Sequence, residues 1–437
     1  MCEEKGLLAG FAKVDMTPDY TVRLSGYSDD ERRLNHMVLD PIYTTCIALT
    51  EGDETILLYT NDILSCTHTM AEDIRKAVTE ETDIPGEKIF IAATHCHSCP
   101  AYGGAPNTRF HDQWVAAATK AAKLALKDRA PAKMLAGTKE FPGMNFVRHF
   151  MTANGTPAGS NFGTFKDNPA VAYLSEPDKQ MVLIKFEREG LKKPILMVNW
   201  QGHPDCGSEI GRFNLAPSYP GPLRDTLSAL SGCLVAYFTG ADGNTNISTR
   251  IAADKHGLNW REYGAKMAQL AYETLPELKE MNSQGIATRR EMVDVEVDHS
   301  WDHMLEQANE VFDLWKSTDK PTGDALGKKY NFTTVFQARA IRNRAAMGKT
   351  IPLEINAFRV GDIGFTTGTY EMFSEAGIDI KKRSPYEITF LLTGNSTYVP
   401  TDKAYNYRCY EADTSFYTRG TAEILVDRYI SLLNKVK

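Results

Sequence analysis

The densest group of residues able to do chemistry is Thr94-His95-Cys96-His97-Ser98-Cys99-Pro100. It follows a β-rich run from Lys88 to Ala93. Potential metal ligands therefore stand where a strand gives way to a loop, a usual place for an α/β active site. A neutral imidazole offers a lone pair at physiological pH while its second nitrogen is anchored by a neighbour. Taken alone, a His-x-His is as readily structural as functional. A second run, Ile195 to Trp200, ends in Gln201-Gly202-His203-Pro204 and delivers a further histidine to a strand end. A third, Ile363 to Thr367, hands over through Gly368-Thr369-Tyr370-Glu371 to a helix. By itself Glu371 reads as a first-turn acid favoured by the helix dipole. Read with the two histidines, it completes a two-His, one-carboxylate zinc site with a position open for water, as metallohydrolases require.

Residues so far apart need a scaffold whose strand ends converge. The first half alternates strands at Tyr43 to Leu49, Thr55 to Thr60, Lys88 to Ala93, Met181 to Phe186, Ile195 to Trp200 and Leu234 to Thr239 with helices near Met70 to Glu80, His111 to Lys127 and Pro220 to Leu230. Charge and helical periodicity then dominate, with helices at Met304 to Lys316 and Ala338 to Met347, so a helix-rich insertion or subdomain is expected over about 259–347. Strands return at Leu353 to Val360, Ile363 to Thr367 and Ile388 to Thr393, with helices at Phe373 to Lys382 and Thr421 to Lys435. The expectation is an α/β fold: one large domain with a mixed, mostly parallel central sheet flanked by helices. The stretch Gly155 to Ala170, rich in glycine and asparagine, is expected as a loop.

Bulk properties narrow the field. The chain has 437 residues, 42% of them hydrophobic, enough for a sizeable core. A formal charge of −7 and no basic run argue against nucleic acid as a partner. No apolar stretch approaches the roughly 20 residues of a membrane span, so stable membrane insertion is not expected. The charged start, Met1-Cys2-Glu3-Glu4-Lys5-Gly6, lacks a signal-type apolar core, giving a cytoplasmic expectation with a removed leader as the alternative. Eight cysteines are too sparse for a disulfide scaffold. Nothing sets an oligomeric state.

Several separate segments, in order, resemble the neutral (alkaline, non-lysosomal) ceramidase family over nearly the whole chain, specifically its catalytic domain. They are Phe11-Ala12-Lys13-Val14-Asp15-Met16-Thr17-Pro18 with Gly26-Tyr27, then Asp40-Pro41-Ile42-Tyr43 and Ala93-Thr94-His95-Cys96-His97-Ser98. Asn199-Trp200-Gln201-Gly202-His203-Pro204, Tyr219-Pro220-Gly221 with Leu223-Arg224-Asp225, and Tyr398-Val399-Pro400-Thr401 with Tyr410-Glu411 continue the match. The resemblance implies zinc (Zn2+) held by His95, His203, Glu371 and Tyr398. It implies that His97 faces the substrate carbonyl from outside the ligand set, and that Arg148 and Tyr410 orient substrate or stabilise the developing oxyanion. The implied activity is amide or ester cleavage of a small-molecule substrate.

The match also breaks. The family carries a serine in a Gly-Asp-x-Ser-Pro-Asn loop, and here the stretch reads Ala241-Asp242-Gly243-Asn244-Thr245-Asn246. Asn244 stands at the serine position and cannot be an alkoxide nucleophile, so zinc-activated water is the expected nucleophile and Asn244 is assigned to binding substrate hydroxyls or carbonyls. The family's C-terminal immunoglobulin-like domain is expected to be absent, and with it ceramide as substrate. Polar segments at Gly155 to Lys166 and Thr401 to Arg408 suit something smaller and more polar. Three alternatives stay open: a metal-assisted hydrolase or lyase acting on a carbohydrate, a non-catalytic binding protein of the same fold, and a structural zinc held by Cys96, Cys99 and Cys206.

Overall fold

The computed structural model describes residues 6–27, 33–101, 108–159, 168–247, 258–407 and 409–437. The loop expected at Gly155 to Ala170 lies partly outside them, as does Arg408. The larger sheet has nine strands: β1 (Leu8–Asp15), β2 (Tyr43–Glu51), β3 (Glu54–Asn61), β4 (Ile89–Ala93), β5 (Ala130–Glu140), β6 (Gln180–Arg188), β7 (Ile195–Trp200), β8 (Leu234–Thr239) and β9 (Lys279–Met281). Their order is β8-β7-β6-β5-β1-β2-β3-β4, with β9 pairing β5. A second sheet holds β10 (Ile286–Glu296), β11 (Thr350–Val360), β12 (Ile363–Gly368) and, after the short β13 (Glu371–Met372), β14 (Ile388–Thr393) in the order β10-β11-β12-β14.

The mixed sheet and flanking helices match the α/β expectation, but the pairing differs from a mostly parallel sheet. In the larger sheet only β3–β4 and β7–β8 run parallel, and every other pair is antiparallel. Part of the difference lies in antiparallel pairing of expected strands, β2–β3 and β6–β7, and part in β1, β5 and, in the second sheet, β10, whose sequences hide their strand character. Ala130-Pro131-Ala132 opens β5 with residues of low β propensity, and Thr288-Arg289-Arg290-Glu291 in β10 has no apolar alternation.

Parallel strands need a crossover, and each parallel pair has a helix between its strands. Helix α1 (His68–Thr82) joins β3 to β4, and α2 (Thr108–Asp128) follows β4. Helix α3 (Pro220–Ser231) joins β7 to β8, with α4 (Trp260–Thr274) packed against it. Further along come α5 (Leu305–Ser317), α6 (Lys320–Lys329) and α7 (Val335–Ala345), which share their own small core of Ala308, Val311, Trp315, Phe332, Val335 and Ile341. Helix α8 (Ser374–Arg383) joins β12 to β14. The two sheets stack through an aromatic core in which Phe90 faces Phe358 at 4.1 Å between ring centroids and Phe358 faces Phe365 at 4.6 Å. Among the described residues no helix is long and apolar enough to cross a membrane.

In a parallel pair both carboxyl ends leave on the same edge, so the three β-α-β units gather their outgoing loops together. Buried hydroxyls tie those edges: Thr239 Oγ1 donates to Thr94 O at 2.9 Å, Thr393 Oγ1 to Thr239 O at 3.1 Å, and Thr60 Oγ1 to Tyr237 O at 2.6 Å.

Candidate metal centre

His95 leaves β4 with φ +61°, an uncommon left-handed conformation for a histidine that stores strain at the strand end. The turn aims its ring inward. Its Nδ1 faces the Leu64 carbonyl at 2.7 Å, and because a carbonyl only accepts, Nδ1 carries the hydrogen and Nε2 the lone pair. His203 leaves β7 and is anchored in the same way, Nδ1 donating to the backbone carbonyl of Asp242 at 3.3 Å. His97 completes the group. The three Nε2 atoms lie 3.1 Å (His95–His203), 3.3 Å (His95–His97) and 3.0 Å (His97–His203) apart, and all three residues are buried. Ring nitrogens at this range repel unless a proton or a metal ion lies among them. Imidazoles on a tetrahedral zinc with bonds of about 2.0–2.1 Å are separated by roughly 3.3 Å, so the residues fit such an ion.

Glu371 and Tyr398 arrive together. The short strand β13 pairs in parallel with β15 (Tyr398–Val399), Glu371 opposite Tyr398, and Glu371 N donates to Thr397 O at 2.9 Å. Glu371 Oε1 lies 3.5 Å from His95 Nε2 and 3.6 Å from His203 Nδ1, and it is buried without a hydrogen-bond partner. Its place on a strand, rather than in the first turn of a helix, fixes it beside the phenol. Burial opposes a charge on His95, but Glu371 outweighs it and raises the His95 pKa to about 9. Burial lowers His97 to about 3 and takes His203 well below the ordinary range. Burial also holds the Tyr398 phenol well above its usual value and pushes Tyr410 to about 12.

Arg148 sits against this group with its guanidinium committed. Nε donates to Glu411 Oε1 at 2.6 Å, and Nη2 donates to Gly243 O at 2.8 Å and Tyr398 Oη at 3.1 Å. Glu411 in turn accepts from His149 Nε2 at 2.7 Å. Tyr410 begins α9 (Tyr410–Thr414), half-buried, with its ring edge-on to Tyr398 at 5.9 Å. Asn244 is near but turned away. Its Oδ1 accepts from Ser374 N at 2.9 Å and its Nδ2 donates to Glu375 Oε2 at 2.7 Å, so both ends of the amide brace the start of α8. One N–H and one lone pair of the amide remain, so Asn244 combines this bracing with a polar group beside the centre.

Four residues here escaped sequence reasoning. Asp242 is fully buried beside His203, with Oδ2 3.8 Å from its Nδ1. Asp205 lies 3.9 Å from His97 Nδ1 and accepts from the Tyr27 hydroxyl. Glu411 and His149 hold Arg148. For Asp242 the signal was available: it follows strand β8 as His203 follows the adjacent β7. Among the described residues, the three cysteines near the histidines form no such centre. Cys96 and Cys99 both donate to Ala216 O, at 2.9 and 3.6 Å, and among the described residues Cys96, Cys99 and Cys206 belong to no three-donor group.

No family model matches the sequence, and no curated protein matches it. Solved structures do. The crystal structure of neutral ceramidase from Pseudomonas aeruginosa superposes with a TM-score of 0.73 at 16% identity, covering 99% of this chain and 75% of that one. A ceramidase complexed with C2 gives 0.72 at 15% identity, covering 98% and 75%. Likeness along almost the whole chain, at an identity too low to carry more than architecture, means that this protein has a neutral ceramidase-like fold.

Proposed function

We propose that the protein is a zinc-dependent hydrolase acting on an amide or ester bond of a small molecule. The observation that carries this reading is the convergence of three buried imidazole Nε2 atoms, 3.0–3.3 Å apart, with an unpartnered Glu371 oxygen beside them. His95, His203 and Glu371 would hold the ion with Tyr398 alongside. His97, whose Nε2 is as near as the others, joins that donor set as readily as it would face a substrate carbonyl. Zinc bound there supplies Lewis acidity and lowers the pKa of water to about 7.

The chain's own groups do the rest. The backbone partners of His95 and His203 fix their tautomers. Arg148, immobilised by Glu411, holds the Tyr398 hydroxyl. Tyr410, half-buried next to Tyr398, offers a hydroxyl to a developing oxyanion, the kind of help whose removal typically costs about 100-fold or more in rate. The ceramidase-like fold supports an amide as the scissile bond, while Asn244 at the serine position supports water as the nucleophile.

Elemental analysis of the purified protein, combined with acyl-amide, ester and glycoside panels before and after chelation, tests the proposal. The expected result is about one zinc per chain and amidase or esterase activity that chelation abolishes and zinc restores. Metal-free protein with chelator-insensitive activity, or turnover confined to glycosides, would overturn it.

A further inference from the structure

Among the described buried carboxylates, Asp242 and Glu371 stand apart. Glu354, Glu411 and Asp62, each no more than 1% exposed, all face guanidinium groups. Asp242 is 0% exposed, and neither of its oxygens has a hydrogen-bond partner. Its one ion-pair neighbour among the described residues is His203, and Glu371 likewise neighbours only histidines. A carboxyl group taken out of water without partners stays ionised only if a cation compensates it, and otherwise takes up a proton.

The surrounding loop prevents escape. Gly243 N donates to Met372 O at 2.9 Å, Thr245 N donates back to Asp242 O at 2.9 Å, and Arg148 N donates to Asn244 O at 2.9 Å. A side chain at Gly243 would press on the Met372 and Glu371 carbonyls at 3.0 and 3.1 Å, so the loop lies flat on β13. The carboxyl group is held in place by its surroundings, as strained groups at functional sites are.

Resting on the metal reading above, we infer that Asp242 is the second carboxylate of the metal centre. Its Oδ2 lies 3.8 Å from His203 Nδ1, the nitrogen opposite the Nε2 cluster, so its charge supports the ion from behind His203 as that of Glu371 does from beside it. Two carboxylates among neutral imidazoles balance the charge of one divalent cation. The loop in which the resemblance expects a serine thus contributes an anion to the ion instead of a nucleophile to the substrate.

The test compares wild type with Asp242→Asn, and with Asp242→Ala as a second variant, in zinc titrations and in thermal melts of the metal-free proteins. Zinc affinity is expected to fall about 10- to 100-fold, the usual effect of losing a group that supports a metal site. The metal-free variant should melt higher than metal-free wild type, because an uncompensated buried charge has gone. A residue of merely structural importance would lower that melting temperature. Wild-type zinc affinity together with an unchanged or lowered metal-free melting temperature in the variants overturns the inference alone. Failure of wild type to take up zinc overturns the metal reading and this inference with it.

Discussion

Gly26 stands behind His97 with φ +103°, and a Cβ there would come within 2.8 Å of the His97 Cα, Cβ and Cγ atoms. Any side chain at this position pushes His97 out of the triad and forces a backbone conformation that L residues rarely adopt. Gly26→Ala is therefore expected to leave the protein folded while reducing activity on the order of 100-fold, the effect of about 1 Å of misplacement at a reacting centre. Steady-state kinetics with circular dichroism checks it, and near wild-type turnover would show that His97 is not needed in place. At this scale the sequence was informative where a residue type alone suggests the chemistry. His95, His203 and Glu371 were visible because each follows a strand. Asp205, Glu411 and His149 were not, because their value lies in the partner each meets across the fold, and no local spacing encodes that partner.

The elements bearing the site are held by ion pairs as well as by apolar packing. Helix α1 docks on β11 through Arg75, whose guanidinium grips Glu354 with bonds of 2.6 and 2.8 Å, while Arg290 from β10 adds another at 2.6 Å. Burial would raise the Glu354 pKa from its ordinary 4.5, but Arg75 and its neighbours outweigh burial and hold it at about 2. A depressed carboxylate stabilises the folded state above its unfolded pKa, and that contribution disappears as pH falls from about 4.5 through about 2. Urea midpoints should therefore drop over that window in wild type. Glu354→Gln should cost up to about 3 kcal/mol near neutrality, because Arg75 keeps only Glu72 and the Ile89 carbonyl as partners, and should flatten the acid dependence. A variant with the wild-type acid profile would assign the loss elsewhere. The elements themselves were legible where period and composition agreed: β7, β8, α3 and α10 (Thr421–Val436) fall within a residue or so of their expected bounds. The antiparallel strands β1 and β5 were missed because neighbours on both sides hold them rather than their own alternation, and the edge strand β10 because it pairs along its whole length with β11 despite having no apolar alternation.

The candidate donors span most of the chain, from His95 to Tyr398, and meet only where three parallel pairs send out their loops. A ligand that binds only such an assembled arrangement stabilises the whole fold by mass action, about 2.7 kcal/mol at a hundredfold excess over its Kd. Zinc should accordingly raise the thermal midpoint of the entire cooperative transition, read by calorimetry, with magnesium doing little. A zinc effect confined to a partial transition would mean that the ion is held by one segment alone. The same spacing bears on how the protein is made. β13 pairs with β15 only when both strands exist, so during synthesis Glu371 waits for Tyr398 to leave the ribosome before the donor set can close. Nascent chains arrested before that point would have the histidines but not the full candidate donor set.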